Sequence, residues 1–247
     1  MRTFRVLSVA AITLLLLLGL APAQANTQTL YLYLVRHGQS VDNASGLQSG
    51  WSATPLTALG ERQAAAIGVK LAKIDFAAVY SSGSVRAAQT LTSILAARTG
   101  GLSPQVAPEF REWGVGSFEQ KPGSVVQAAE AKVLKTKASN VWKFTDEQRF
   151  NALAKADPTK KAENWSQFKN RILLGVSKVK ASNGSGQVLV VSHGYVIKHL
   201  IKLLTESYTS LPISNTTVTI LQFANGHWVL KQGPSLTPKV FGAPSNQ

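Results

Sequence analysis

From Thr29 onward the chain alternates between short apolar runs and stretches whose apolar positions recur at helical spacing. Residues 30–35, rich in Leu, Tyr and Val, read as a buried strand. Residues 57–73 carry Ala64, Ile67 and Leu71 on a helical repeat, with Thr57 placed to cap them and Glu61 and Arg62 in the early turns. Residues 76–80 predict a second strand, followed at once by Ser81 and Ser82 and a helix over about 84–98 that Gly100 and Gly101 end. Residues 187–192 repeat the strand pattern and 194–205 the helix pattern. Residues 216–223 and 227–231 predict a closing hairpin turned at Asn225-Gly226.

Strand–helix alternation of this kind implies a mostly parallel sheet with helices on both faces, a three-layer α/β/α sandwich, with the late hairpin adding an edge. Between the second and third units lies a helical insertion, about residues 120–182, with three candidate helices broken near Asn140 and at Asp157-Pro158. Asn183 to Gly186 reads as a flexible turn into the third strand. The tail, residues 233–247, is short of apolar positions and reads as loose.

The amino terminus follows a different pattern. Arg2 and Arg5 precede an apolar stretch over residues 6–20, and Ala23-Gln24-Ala25 supplies a small-x-small site. These features predict a signal peptide over residues 1–25, cleaved after Ala25, and export to the periplasm or the medium. The apolar core is short beside the roughly 20 residues of a membrane span, and no later segment is apolar enough to be one. Residues 26–247 are thus expected to form one soluble domain, of oligomeric state that the sequence leaves open. The chain has no cysteine, which excludes disulfides, thiolate metal sites, a cysteine nucleophile and a lipidated cysteine.

Charge adds one asymmetry. The formal net charge is +14, and between Lys121 and Lys180 stand 11 Lys and 2 Arg against 5 acidic residues. Such a surplus keeps a helical surface solvated; it can also attract anionic substrates. Lys132, Lys135 and Lys137 are the residues through which it would do so. No nucleic-acid-binding module or interleaving of aromatic and basic residues is present, so nucleic acid is not an expected partner.

In parallel α/β sheets ligands bind at the carboxyl ends of strands. Arg36-His37-Gly38 leaves the first strand there, Ser81-Ser82 the second, with Arg86 in the first turn of the next helix, and Ser192-His193-Gly194 the third. A lone histidine at a strand end is usually structural. Here two of the four histidines occupy equivalent ends, each followed by a glycine that permits a tight turn or close approach of a ligand. A divalent metal would be repelled by the adjacent arginines and lacks an evident third ligand. A serine hydrolase would want a G-x-S-x-G elbow, and none is present. Guanidinium groups match phosphate oxygens, so phosphate chemistry fits the charges best.

The segments LVRHGQSVDN, PLTALGERQA, VYSSGSVRAAQT, EFREWGVGSFE and VVSHG occur in the order seen in the histidine phosphatase superfamily, and the chain resembles its phosphoglycerate mutase-like branch over about residues 30–199. The resemblance implies that His37 is the nucleophile that becomes phosphohistidine and that Arg36, Arg86 and His193 hold the phosphoryl oxygens. It places Asn43 in the pocket, with Gly38 and Gly194 beside the phosphate. It assigns Glu112 as proton donor, with Glu109 and Glu119 as surface or pocket-edge residues, and the insertion as a cap. No metal or organic cofactor is implied, and the partner is a small phosphorylated substrate. The chain departs from the pattern at Ala53-Thr54, where an acidic residue is common, and at Gln120, where a glycine is common. An exported protein would not normally meet glycolytic intermediates, so phosphomonoester hydrolysis is expected over a mutase-type phosphotransfer. A catalytically silent surface protein that binds phosphorylated ligands is the remaining alternative.

Overall fold

The computed structural model describes residues 29–207 and 213–241; the signal peptide expected over residues 1–25 lies outside the described residues. The chain runs β1 (Leu30–Arg36), α1 (Val41–Ala44), α2 (Ala58–Leu71), β2 (Ala78–Ser81), α3 (Val85–Ala96) and β3 (Gln105–Val106). It continues with α4 (Gly123–Leu134), α5 (Asp146–Ala156), α6 (Trp165–Asn183), β4 (Gly186–Ser192), α7 (Gly194–Thr205), β5 (Val218–Ala224) and β6 (His227–Ser235). Short 3-10 turns occupy Pro108–Phe110, Gly116–Phe118 and Ala138–Lys143.

The six strands form one sheet in the order β3-β2-β4-β1-β5-β6, with β1 to β4 parallel, β5 antiparallel to β1 and β6 antiparallel to β5. The continuous apolar runs of β1 and β4 conceal a two-residue alternation. Leu30, Leu32, Leu34, Val188 and Val190 face a core built with Phe168 and Ile172 of α6 and Val196 and Leu200 of α7. Tyr33, Val35, Leu189 and Val191 face the opposite core, with Ile67 and Leu71 of α2 and Leu91 and Ile94 of α3. Burial on both faces is the reason these strands read as unbroken apolar runs. Each fully buried side chain of this kind contributes about 1.5–3 kcal/mol. The three-layer sandwich expected from the alternation is the observed fold.

Three parts differ from expectation. The two-residue β3 lacks any apolar run, since Gln105 and Val106 are both exposed at the sheet edge. The third insertion helix, α6, packs against the sandwich as well as the cap: Asn183 Nδ2 donates to the Tyr80 hydroxyl of β2 (3.2 Å), and Lys180 Nζ sits 3.6 Å from the centre of the Phe223 ring of β5. The tail is held as far as the description reaches. β6 continues through Gly233 to Ser235, the Lys239 amide donates to Gln232 Oε1 (2.8 Å), and Phe241 stacks on Tyr31 with ring centres 5.0 Å apart. Backbone pairing and one aromatic contact anchor a segment whose composition reads as loose.

The break between α5 and α6 is organised by Asp157. Its carboxylate accepts from the Ser117, Thr159, Lys161 and Ala162 amides and from the Ser117 and Thr159 hydroxyls. These bonds hold its pKa below the usual carboxylate value against the opposing effect of burial. Gly116, at φ 59°, lies so close to this carboxylate that a Cβ would fall 2.0 Å from Asp157 Oδ2. That glycine is required by both its backbone and its neighbour.

Candidate active site

The parallel register of β1 and β4 sets Arg36 opposite Ser192, and the His37 amide donates to the Ser192 carbonyl (3.0 Å). His37 and His193 therefore leave adjacent strands side by side, with ring centres 5.0 Å apart. His37 Nδ1 lies 2.7 Å from the Gly38 carbonyl oxygen. A carbonyl only accepts, so Nδ1 carries the proton and Nε2 presents its lone pair. That lone pair accepts from Arg86 Nε at 3.2 Å. The same logic fixes His193: Nδ1 accepts from Arg86 Nη2 (3.2 Å), leaving Nε2–H to donate to the Ser82 hydroxyl (2.8 Å).

Arg86 is buried in the first turn of α3. Its remaining donors reach the carbonyls of Ser49 (3.2 Å), Gly50 (2.8 Å) and Ser52 (3.1 Å). This loop is held in turn by Glu119, whose carboxylate accepts the amides of Gly50 (2.8 Å), Trp51 (2.6 Å) and Ser52 (3.3 Å). Glu119, expected at the surface or the pocket edge, thus fixes the support of a central arginine. Glu109 pairs with the exposed Lys178.

On the other side of His37, Arg36 Nη1 donates to the Ile213 carbonyl (2.6 Å) and Nη2 makes a long contact with Asn43 Oδ1 (3.5 Å). Its Nε is buried without a hydrogen-bond partner among the described residues. Asn215 Nδ2 donates to the His37 carbonyl (2.9 Å) and to Asn43 Oδ1 (3.2 Å), tying the pocket asparagine to the histidine backbone. Glu112 is buried, with its carboxylate accepting the Trp113 amide (2.9 Å) and the Tyr195 amide in the first turn of α7 (3.2 Å). Its own carbonyl is held by Trp51 Nε1 (2.8 Å) and Arg171 Nη2 (3.1 Å).

Burial and charge act on the ionisable groups in opposite directions. Burial, then the charges of Arg86 and Arg36, depresses the His37 pKa well below its ordinary value, and burial with Arg86 does the same to His193. Burial raises the Glu112 pKa, and the two amides and two arginines offset only part of that rise. Burial thus works against the charged form of both His37 and Glu112.

Arg36, His37, Asn43, Glu112 and Gly194 line a cleft of about 670 Å³, together with Trp142, Phe144, Asp146 and Arg149 of the insertion. Arg86, hydrogen-bonded to both His37 and His193, and His193 itself are not among the residues that line it. Gly38 is a correction to the sequence reading: its amide donates to Thr90 Oγ1 (3.0 Å), and a Cβ there would meet the Gly60 carbonyl oxygen at 2.4 Å. Its lack of a side chain serves helix packing, and it has no amide left for a phosphate. Lys132, Lys135 and Lys137 are also placed elsewhere, exposed on the cap, while the lysines lining the cleft are Lys198 and Lys202 of α7. Among the described residues no group of three or more His, Cys, Asp or Glu side chains is placed to hold a metal ion.

The model of the histidine phosphatase superfamily, branch 1, matches residues 32–233. The chain belongs to this family. It is 32% identical over 181 residues to an adenosylcobalamin/alpha-ribazole phosphatase of Salmonella typhimurium, covering 73% of this chain and 82% of that one. It is 24% identical over 210 residues to a metal-independent phosphoserine phosphatase of Arabidopsis thaliana, covering 84% and 82%. Among solved structures it is similar to a phosphoglycerate mutase from Bacillus anthracis, with a TM-score of 0.80, 30% identity and coverage of 85% of this chain and 95% of that one.

Both departures from the histidine phosphatase pattern converge on buried Asp42. Thr54 Oγ1 accepts the Asp42 amide (3.3 Å), and Gln120 Nε2 donates to Asp42 Oδ1 (3.3 Å). Gln120 has φ 57°, the left-handed region a glycine would occupy more easily. Asp42 Oδ2 accepts the Ser52 hydroxyl (2.9 Å), so these substitutions bear on the loop that supports Arg86. Sequence reasoning missed Asn215 and the 49–52 loop, whose contacts run between segments far apart in the chain and leave no local pattern.

Proposed function

We propose that this histidine phosphatase hydrolyses phosphomonoesters through a covalent phosphohistidine on His37. The observation that carries the proposal is the fixed tautomer: Nδ1 is spent on the Gly38 carbonyl and Nε2 holds a lone pair that faces the Arg86 guanidinium. In the first step Nε2 attacks phosphorus, the bond from phosphorus to the ester oxygen breaks, and protonated Glu112 delivers its proton to the departing oxygen. Arg36, which lines the cleft beside His37, supplies donors to the phosphoryl oxygens, and Arg86, hydrogen-bonded to Nε2 in the free protein, adds positive charge beside the reacting nitrogen. In the second step the Glu112 carboxylate removes a proton from water as its oxygen attacks phosphorus, the N–P bond breaks, and free enzyme returns with inorganic phosphate.

Hydrolysis is favoured over phosphotransfer by the signal-peptide pattern of residues 1–25, because an exported protein would not normally meet glycolytic intermediates. The recovered protein should begin at Asn26, readable by mass spectrometry of the cell-free or periplasmic fraction; an intact Met1 end would remove this support. Incubation with p-nitrophenyl phosphate should release inorganic phosphate without an acceptor alcohol, equally with and without chelator. Acid-labile, alkali-stable phosphate should be trapped on His37, and His37→Ala should lose more than about 10³-fold in kcat/KM. Transfer of the phosphoryl group to an added glycerate acceptor, with phosphoglycerate formed and no inorganic phosphate released, would turn the assignment to a mutase, and no turnover of any ester would turn it to a binding protein.

A further inference from the structure

The cap contains an ion pair that the phosphate chemistry does not use. Glu130 of α4 is fully buried, and its two oxygens accept from Arg149 Nε (3.2 Å) and Nη2 (3.3 Å), the Arg149 side chain being nearly as buried. Desolvating such a pair is costly, and apolar residues of similar volume would usually hold two helices together at least as well. A second contact gives the pair a use. The Arg149 guanidinium lies 4.2 Å from the centre of the Trp142 ring, while Trp142 is 59% exposed and lines the cleft with Phe144. An exposed indole on a short 3-10 turn would ordinarily be free to rotate. Here a guanidinium locked by two hydrogen bonds supports it by a cation–π contact.

We propose that Trp142 is a stacking platform for the alcohol half of the substrate, which makes the preferred substrates phosphomonoesters of alcohols bearing a planar aromatic or heteroaromatic group. This rests on the phosphatase reading above. A planar group on Trp142 gains area burial and stacking together, whereas a small polyol gains little of either. Phe144, also at the cleft, supplies a second aromatic contact. The Glu130–Arg149 pair holds the platform in register before the substrate arrives, which lowers the ordering cost of binding.

Benzyl phosphate and glycerol phosphate test this, because both leave as alkoxides and differ little in intrinsic reactivity. Wild-type protein should favour benzyl phosphate in kcat/KM. Trp142→Ala should lower kcat/KM for benzyl phosphate about tenfold, mostly through KM, and that for glycerol phosphate less than about twofold. Trp142→Phe should restore most of the benzyl activity. Equal losses for the two esters, or no loss for benzyl phosphate, would overturn the platform. If wild-type protein hydrolyses neither of these esters nor p-nitrophenyl phosphate the phosphatase reading fails, and whenever both esters are inert calorimetry with benzylphosphonate decides the platform separately. Binding about tenfold weaker to Trp142→Ala would uphold it, and unchanged binding would overturn it.

Discussion

The ordinary pKa values of a histidine and a glutamate, 6.5 and 4.5, are not those of His37 and Glu112. With those values no pH would have both a neutral imidazole and a protonated carboxyl as the majority forms. Burial moves each in the direction that opens such a window, lowering the first and raising the second. The kcat/KM profile should therefore fall on its basic side as Glu112 ionises and on its acidic side as His37 gains a proton. Glu112→Gln should lose its activity mainly with esters of poor leaving groups and lose the basic limb with p-nitrophenyl phosphate; a retained basic limb would reassign the acid. Glu119 works at one remove. Glu119→Gln weakens three amide contacts to the loop beneath Arg86, and the resulting misplacement should cost about 10²-fold in kcat/KM. As a positioning residue its loss should leave the shape of the pH profile unchanged.

The elements meet at a polar hinge between cap and sandwich. Asp146 begins α5 and reaches α7, where Lys198 Nζ and His199 Nε2 each lie 3.1 Å from Oδ2. The His199 hydrogen bond first, and Lys198 with it, depresses the Asp146 pKa below its ordinary 3.8 despite burial. A depressed carboxylate stabilises the fold above its unfolded pKa, and that contribution is lost as pH falls through the folded one. Asp146→Asn should thus lower stability by about 1–3 kcal/mol at pH 7 in urea titrations. The gap to wild type should shrink as the pH falls below 3.8. A gap independent of pH would mean that the charge of Asp146 is not what joins α5 to α7.

At the scale of the whole molecule the cap carries the surplus of lysine, but the acids of that region are mostly turned inward. Glu130 pairs with Arg149, Glu163 with Arg171, Asp146 with Lys198, and Asp157 accepts backbone amides. Lys132, Lys135 and Lys137 stay exposed and outside the cleft lining. Replacing all three by Gln should leave KM for a small phosphate ester within about twofold at low salt, since exposed charges far from a site are screened. Lys202→Gln, at the cleft wall, should raise KM more at low salt than at high salt. A larger effect from the cap triple variant would restore the cap as the attracting surface.

Much of this protein is written locally. Apolar runs and helical repeats specify a two-faced sheet because burial on both sides leaves that mark on every strand, and the RHG and SHG segments fall at the strand ends where such sheets bind ligands. Glu112 stands out through the family resemblance of the run around it. The tautomer of His37, the loop that Glu119 holds under Arg86, the Asn215 bridge and the Arg149-backed Trp142 depend on which segments fold against which. Each joins residues far apart in sequence, or depends on a side chain's direction, and no periodicity encodes either. The sequence by itself determined the sheet, the chemistry-bearing residues and their order. Tertiary structure decided their protonation, their supports and the walls of the cleft, because burial and long-range hydrogen bonds exist only once the chain is packed.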